Sequence, residues 1–256
     1  MNPIGINITT LPGMTTEDFV REIAGLGFSA TFEMGRKSRE ELEQLGTACA
    51  QNGIQLENLH APWSQINDIW LPGEAGQQML ETLMDTVDKC ALVGAAMAVV
   101  HLSSKMHPPT ITDVGRGRFE TLVEYAQKKN VKIAFENLRK LFNLAWAFEY
   151  FGPETGVGFC WDCGHEGCFT PGVEFMPLFG DRLICTHLHD NEGVYDEDRH
   201  FLPFDGKLDF DRIARHLRKA NWQGTVMLEA GPHGDVTPEV YLTRAAQAAK
   251  RLAEMI

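Results

Sequence analysis

The sequence predicts one (β/α)₈ barrel of the α/β class, with its site at the C-terminal ends of the strands. Three observations lead there. An apolar strand followed by an amphipathic helix recurs eight times, at about 30-residue spacing, the pattern of a parallel sheet with crossover helices. The length, 256 residues, suits a single barrel domain spanning residues 1–256 better than two domains. Six consecutive strands end in His, Asp or Glu. A doubly wound sheet is the competing architecture. The regularity of the units and the lack of a Gly-rich phosphate loop after the first strand favour closure into a barrel.

The elements follow in order. Ile4-Gly5-Ile6-Asn7-Ile8 alternates as a strand, and Thr16-Glu17-Asp18 opens a helix with acids in its first turn. Phe28 to Met34 is the second strand, Ser38 to Gln51 a helix stopped by Asn52-Gly53, and Ile54 to Leu59 the third strand. A helix from Glu74 to Val93 leads through Gly94 to the strand Met97 to His101. Asp113 to Lys129 is helical, Val131 to Phe135 a strand, and Phe142 to Tyr150 a weaker helix. Gly156 to Trp161 is a short strand, Gly172 to Phe179 a short helix, and Arg182 to His187 the seventh strand. Phe210 to Ala220 is a helix, Gly224 to Leu228 the last strand, and Pro238 to Glu254 the closing helix.

Composition narrows the class. A content of 44% hydrophobic and 23% charged residues suits a globular enzyme with a large core. The longest apolar run, Cys90 to Val100, is about half a membrane span. The N-terminus has neither a basic region nor a long apolar one, so the expectation is a cytoplasmic protein without a secretory signal. Six cysteines are then expected to stay reduced. Cys160, Cys163 and Cys168 form a C-x₂-C-x₄-C run, but no fourth thiol follows at a suitable spacing, which argues against a zinc or iron–sulfur knot. A formal charge of −12 disfavours nucleic acid as a partner, although bound cations can reverse the field inside a cleft.

The chemistry gathers at the strand ends, where strands three to eight finish in His60, His101, Glu136, Asp162, His187 and Glu229. A lone His or Glu at a strand end is most often a satisfied or solvated residue. Six at one barrel mouth are costly to desolvate, and bound metal compensates that cost. Imidazole with carboxylate suits zinc, manganese or iron, and the carboxylates also suit magnesium. In Asp162-Cys163-Gly164-His165 the chain is expected to turn through Gly164 and return His165 to the cluster. His187 and His189 fall on one side of a strand, and Asp198 and His200 lie in the polar loop beyond.

These residues resemble the xylose-isomerase-like TIM-barrel superfamily, which holds sugar isomerases and epimerases as well as endonuclease IV. The resemblance runs from Ile4 to Leu252 through Asn58-Leu59-His60-Ala61-Pro62, Val100-His101, Phe135-Glu136-Asn137, Trp161-Asp162-Cys163-Gly164-His165, Thr186-His187-Leu188-His189-Asp190, Asp198-Arg199-His200 and Met227-Leu228-Glu229. It implies a Mn²⁺, Mg²⁺ or Co²⁺ ion on Glu136, Asp162, His187 and Glu229, as in the epimerase-like members. The endonuclease-like members hold three zinc ions with nine residues, matching those four together with His60, His101, His165, Asp198 and His200. Trp63 also stands where the nuclease carries an aromatic. The loop Met34 to Ser38 is too short for that enzyme's duplex-wedging loop, and Asp196, Glu197 and Asp198 face a DNA backbone badly.

The reading is therefore a metal-dependent isomerase or epimerase of a small keto-sugar or sugar derivative, with one to three divalent ions (Mn²⁺, Zn²⁺, Mg²⁺ or Co²⁺). It works through an enediolate, with Glu136 and Glu229 as the proton-transfer pair. His101 and His165 bind substrate hydroxyls or a second metal, and His60, His189, Asp198 and His200 complete the mouth. Trp63 and Phe201 wall the pocket, while Trp161 belongs to core packing. The implied partners are a carbohydrate and, in a homo-oligomer, further copies of the chain; no membrane is involved. Phosphodiester hydrolysis at a trinuclear zinc site is the first alternative, and a non-catalytic barrel or partner subunit the second.

Overall fold

A computed structural model describes residues 1–256. Eight parallel strands run in the order β7-β6-β5-β4-β3-β2-β1-β8. They are β1 (Ile4–Asn7), β2 (Ala30–Met34), β3 (Gln55–His60), β4 (Met97–His101), β5 (Lys132–Glu136), β6 (Val157–Asp162), β7 (Leu183–His187) and β8 (Val226–Leu228). The ring closes where Leu188 bridges Leu228, its amide donating to the Met227 carbonyl at 2.9 Å. Around it stand α1 (Thr16–Gly25), α2 (Arg39–Gln51), α3 (Glu74–Val93), α4 (Asp113–Lys128), α5 (Leu141–Tyr150), α6 (Cys163–Phe169), α7 (Met176–Phe179), α8 (Phe210–Lys219) and α9 (Pro238–Met255).

Local chemistry fixes the helix starts. Thr15 with Asp18 and Ser38 with Glu41 form reciprocal capping boxes on α1 and α2, each satisfying two amides that the helix leaves free. Thr237 caps α9 just ahead of Pro238, which needs no amide partner there. The apolar faces of these helices join the outward faces of the strands in one core of 59 buried residues.

Inside the barrel, Met97, Val99, Ala134, Cys160 and Cys185 pack as one group and Ala30, Phe32 and Met227 as another. This filled floor supports the mouth above it. A Cβ on Gly5 would meet the Met227 sulfur at 2.7 Å, so the interior is closed there as well. A bulge between β2 and β3 skips Glu57 in the pairing, so that Phe32 is opposite Asn58 and Met34 opposite His60. At the far ends of the strands His101 pairs with Glu136 and Asp162 with His187, which sets the strand-end side chains level.

Two elements differ from the sequence expectation. Asp162 caps a helix that starts at once, α6, where a turn through Gly164 was expected; its Oδ1 accepts from the His165 amide at 2.6 Å. The helix expected over Gly172 to Phe179 is only α7, because Gly172 takes a φ of 85° and the chain reaches helical geometry only after it. A 3₁₀ turn at Ile66–Trp70, not foreseen in the sequence, joins β3 to α3.

Candidate metal centre

Strands β3 to β7 deliver their last side chains, and β8 the residue just after it, to one chamber. His60, His101, Glu136, Asp162, His187 and Glu229 are all buried there. Glu136 is the hub. Its Oε2 accepts from His60 Nε2 at 3.0 Å and His101 Nε2 at 2.6 Å, and its Oε1 accepts from His187 Nδ1 at 3.0 Å. His187 Nδ1 also lies 3.2 Å from Glu229 Oε2. One ligating atom from each of Glu136, Asp162, His187 and Glu229 can be chosen so that all four lie within 4.8 Å of one another.

Two further groups adjoin this one. His60 and His101 share Glu136 with it. His165, His189, Asp198 and His200 form the other, with Asp198 Oδ2 accepting from His165 Nε2 at 3.2 Å and His200 Nε2 at 2.9 Å. His189 ties this group to the first, since its Nε2 lies 3.1 Å from both oxygens of Asp162. His187 and His189 therefore serve different groups, because β7 ends at His187 and the chain bends beyond it.

The electrostatics show how much charge the chamber carries. Burial works against the charge on Glu136, yet His187 and His101 hold its carboxyl well below the usual carboxylate range. Burial opposes Glu229 in the same way, and His187 beside it outweighs that. His165 is raised to about 10 despite its burial, by Asp162 and Asp198, and His200 to about 9, chiefly by Asp198 and Glu229. Burial pushes the His101 imidazole down, against the pull of Glu136.

The residues fit a divalent ion. Glu136, Asp162 and Glu229 share one buried chamber and no lysine or arginine pairs with them there; only imidazoles do. The donor set is the one zinc and manganese take. With bonds of about 2.0–2.2 Å, two ligands of one ion stand at most roughly 4.4 Å apart. The observed 4.8 Å bound is within a small side-chain adjustment of that figure.

Residues without a role in the sequence reading hold these side chains in place. Asn137 bridges β5 to β6, donating to the Asp162 carbonyl and accepting from the Asp162 amide, each at 2.8 Å. Asn191 donates to the Gly164 carbonyl at 2.9 Å and accepts from the Arg199 amide at 2.6 Å, which positions both α6 and the Asp198–His200 segment. Asp190 accepts from the amides of Gly206 and Leu208 at 2.8 and 2.9 Å. In the sequence these are ordinary polar residues after a strand; only the fold brings their partners near.

A cavity of about 430 Å³ opens on the chamber, within the usual size range of small-molecule sites. His60, His101, His165, Asp198, His200 and Glu229 line it; Glu136 and Asp162 lie beneath. Trp63 is on its wall, edge-on to His60 at 5.0 Å between ring centres. Phe201, expected as a second wall, is not among its lining residues. The backbone of Phe201 pairs with Asp190 and its ring packs on His233 at 4.5 Å, so the wall is Phe169 instead. Trp161 is wholly buried and donates to Glu166 Oε2 at 2.9 Å. The C-x₂-C-x₄-C run forms no thiolate cluster: Cys160 faces Cys185 across the sheet, Cys163 bonds the His189 carbonyl, and Cys168 lies near Asp198.

A family model described as xylose isomerase-like TIM barrel matches residues 20–255. The uncharacterised protein y4fM of Sinorhizobium fredii (strain NBRC 101917 / NGR234) is 33% identical, over 84% of this chain and 79% of that one. Among solved structures, 3-keto-D-glucoside 4-epimerase YcjR from E. coli superposes with a TM-score of 0.77 at 18% identity, covering 99% of this chain and 100% of that one. D-psicose 3-epimerase from Clostridium cellulolyticum H10, solved with D-tagatose, gives 0.77 at 15% identity, covering 98% of each chain. At such identities the likeness is one of fold.

Proposed function

The chain belongs to the xylose isomerase-like TIM-barrel family, and from that premise we propose that it is a divalent-metal-dependent isomerase or epimerase of a small keto-sugar or sugar derivative. The observation that carries the proposal is the convergence of Glu136, Asp162, His187 and Glu229 beneath a cavity of small-molecule size. The two epimerases it resembles in fold, one of them solved with D-tagatose, support the substrate class.

Those four side chains would hold a divalent ion, which when bound would supply Lewis-acid polarisation of a carbonyl and its neighbouring hydroxyl. Of those four side chains Glu229 is the carboxylate that reaches the cavity wall, so it takes the proton from the carbon beside the carbonyl. Glu136 is the second carboxylate of the pair in this reading; it lies beneath the cavity with both oxygens engaged by imidazoles, so it must give up one of those hydrogen bonds to exchange a proton with the sugar. His101, His165 and His200 offer ring nitrogens to substrate hydroxyls, and Trp63 and Phe169 give apolar surface to the sugar ring.

The test is proton NMR of keto-sugars incubated in D₂O with the Mn²⁺-loaded protein, D-tagatose and D-psicose among them. Deuterium is expected on the carbon next to the carbonyl. Interconversion with the original hydrogen retained would overturn the Glu136–Glu229 assignment. No interconversion of any keto-sugar would overturn the function.

One observation favours a second reading, phosphodiester hydrolysis at three zinc ions: the three ligand groups adjoin and share Glu136 and Asp162. Cleavage of abasic-site DNA, with three zinc ions per chain by elemental analysis, would establish it. A chain that takes up one ion under excess zinc speaks for the sugar enzyme.

A further inference from the structure

The cavity wall also carries two cations that the ligand groups do not employ. Lys105 lies on the loop after β4 and Arg139 on the loop after β5, so they stand on neighbouring walls of one cavity. Neither contacts a carboxylate of the metal chamber.

The backbone that carries Lys105 and the side chain of Arg139 are held in place, while the Lys105 side chain itself is exposed. The side chain of Asn67 donates to the Ser104 carbonyl and accepts from the Ser104 amide, each at 2.9 Å, which fixes the root of the β4 loop. The next residue, Lys105, then takes a φ of 63°, the left-handed region that is unfavourable for a residue with a side chain. Lys105 has no ion-pair partner within 4.0 Å. The guanidinium of Arg139 lies flat over Phe169, 3.6 Å from the ring centre, and its Nε and Nη2 both donate to Asp196 Oδ1. That leaves Nη1 without an acceptor in the protein. Ser104 lines the same wall, and its hydroxyl also has no partner.

A chain with 35 acidic and 23 basic residues has carboxylates to spare for its cations. It nevertheless keeps at its cavity an unpaired ammonium on a clamped, left-handed backbone and a half-used guanidinium stacked on Phe169. A neutral sugar gains little from such donors, whereas a phosphate or carboxylate takes charge-assisted hydrogen bonds from both. We infer that Lys105 and Arg139 bind an anionic end group of the substrate, a phosphate or a carboxylate, so that the enzyme acts on an anionic rather than a neutral sugar. The inference rests on the sugar reading for the word sugar, but the anion subsite stands on its own geometry.

Two measurements test it. The first is calorimetric titration of the Mn²⁺-loaded protein with inorganic phosphate. Lys105→Ala and Arg139→Gln should each weaken binding about tenfold or more, and Lys129→Ala, on the far side of α4, should not. Phosphate bound equally by wild type and both cavity variants would place the anion on the metal alone and overturn the inference.

The second measurement compares labelling rates in D₂O for D-fructose, D-fructose 6-phosphate and D-fructuronate, with tagatose counterparts. A kcat/KM for either charged form at least about tenfold above the neutral one is expected, shrinking in Lys105→Ala. The phosphate and carboxylate arms identify the end group. Neutral sugars turned over as well as charged ones would overturn the anion inference and leave the sugar reading intact. No sugar turnover, with phosphate binding still dependent on Lys105, would remove the sugar reading and leave the anion subsite.

Discussion

Glu229 and Glu136 are chemically the same residue at equivalent ends of two strands, yet their surroundings separate them. Glu136 accepts three imidazole hydrogen bonds and is sealed in; Glu229 keeps an edge on the cavity. Glu229→Gln should therefore lower kcat by roughly 10²–10⁴-fold, the range for loss of a general base, and abolish deuterium incorporation. Glu136→Gln should in addition lose metal, read as ion content per chain, because it unsettles His60, His101 and His187 together. Equal metal retention in the two variants would contradict that division. Asn137 shows a second kind of residue, one that binds nothing but ties Asp162 to β5 through both of its backbone groups. Its replacement by Ala leaves two buried backbone groups unpaired and should cost about 1–3 kcal/mol in denaturant unfolding.

At the scale of elements, the join of β6 to α6 matters most, because Asp162 ends the strand, caps the helix and belongs to the chamber at once. Gly164 sits in the first turn of α6 against the His189 imidazole, and a Cβ there would collide with that ring. Gly164→Ala should destabilise the protein by roughly 1–3 kcal/mol. It should also weaken zinc uptake by the His165–His189–Asp198–His200 group before it affects the Glu136 group. Zinc titration followed by thermal melting would show the order. Uptake unchanged in the variant would mean that His189 is free to move.

Near the end of β2, Glu33 gives a pH prediction away from the chamber. Burial, only partly offset by Lys37, raises the Glu33 carboxyl to about 7; its Oε2 has no hydrogen-bond partner, and the Lys37 ammonium stands 3.9 Å away. The folded state thus holds a proton that the unfolded chain releases near 4.5. This contribution is fully favourable below about 4.5 and is lost as pH rises through about 7. Glu33→Gln should therefore flatten the loss of stability between those pH values and add about 1–3 kcal/mol at pH 8 in urea unfolding. An unchanged slope would show that Glu33 is solvated.

For the whole molecule, the proposed metal site is linked to barrel closure, since Glu136, Asp162, His187 and Glu229 come from β5, β6, β7 and the end of β8, on both sides of the β7–β8 seam. An ion at 1,000 times its Kd stabilises by about 4 kcal/mol, which for a chain of this size is a rise of roughly 10 °C in Tm. Chelation should reverse the rise, and Asp162→Asn should abolish most of it. A Tm indifferent to chelator would mean that the chamber holds its charge with imidazoles alone. No helix is long and apolar enough to cross a membrane.

What the sequence determined by itself follows from periodicity. Strand runs such as Met97-Ala98-Val99-Val100 are apolar on both faces because a barrel strand is buried on both, and that pattern is local and readable. Parallel strands in a closed ring must then bring their last residues to one mouth, so the convergence of His60, His101, Glu136, Asp162, His187 and Glu229 was legible in the sequence. The sequence could not say that Glu136 is enclosed and Glu229 open, that His187 and His189 serve different groups, or that Phe169 replaces Phe201 on the wall. Nor could it find Lys105 and Arg139 on one cavity, with Asn67 clamping the loop that carries Lys105. Those facts depend on loop conformation and on contacts between residues far apart in the chain. A polar side chain after a strand has the same local signature whether it meets water or a partner, and only the tertiary structure supplies the partner.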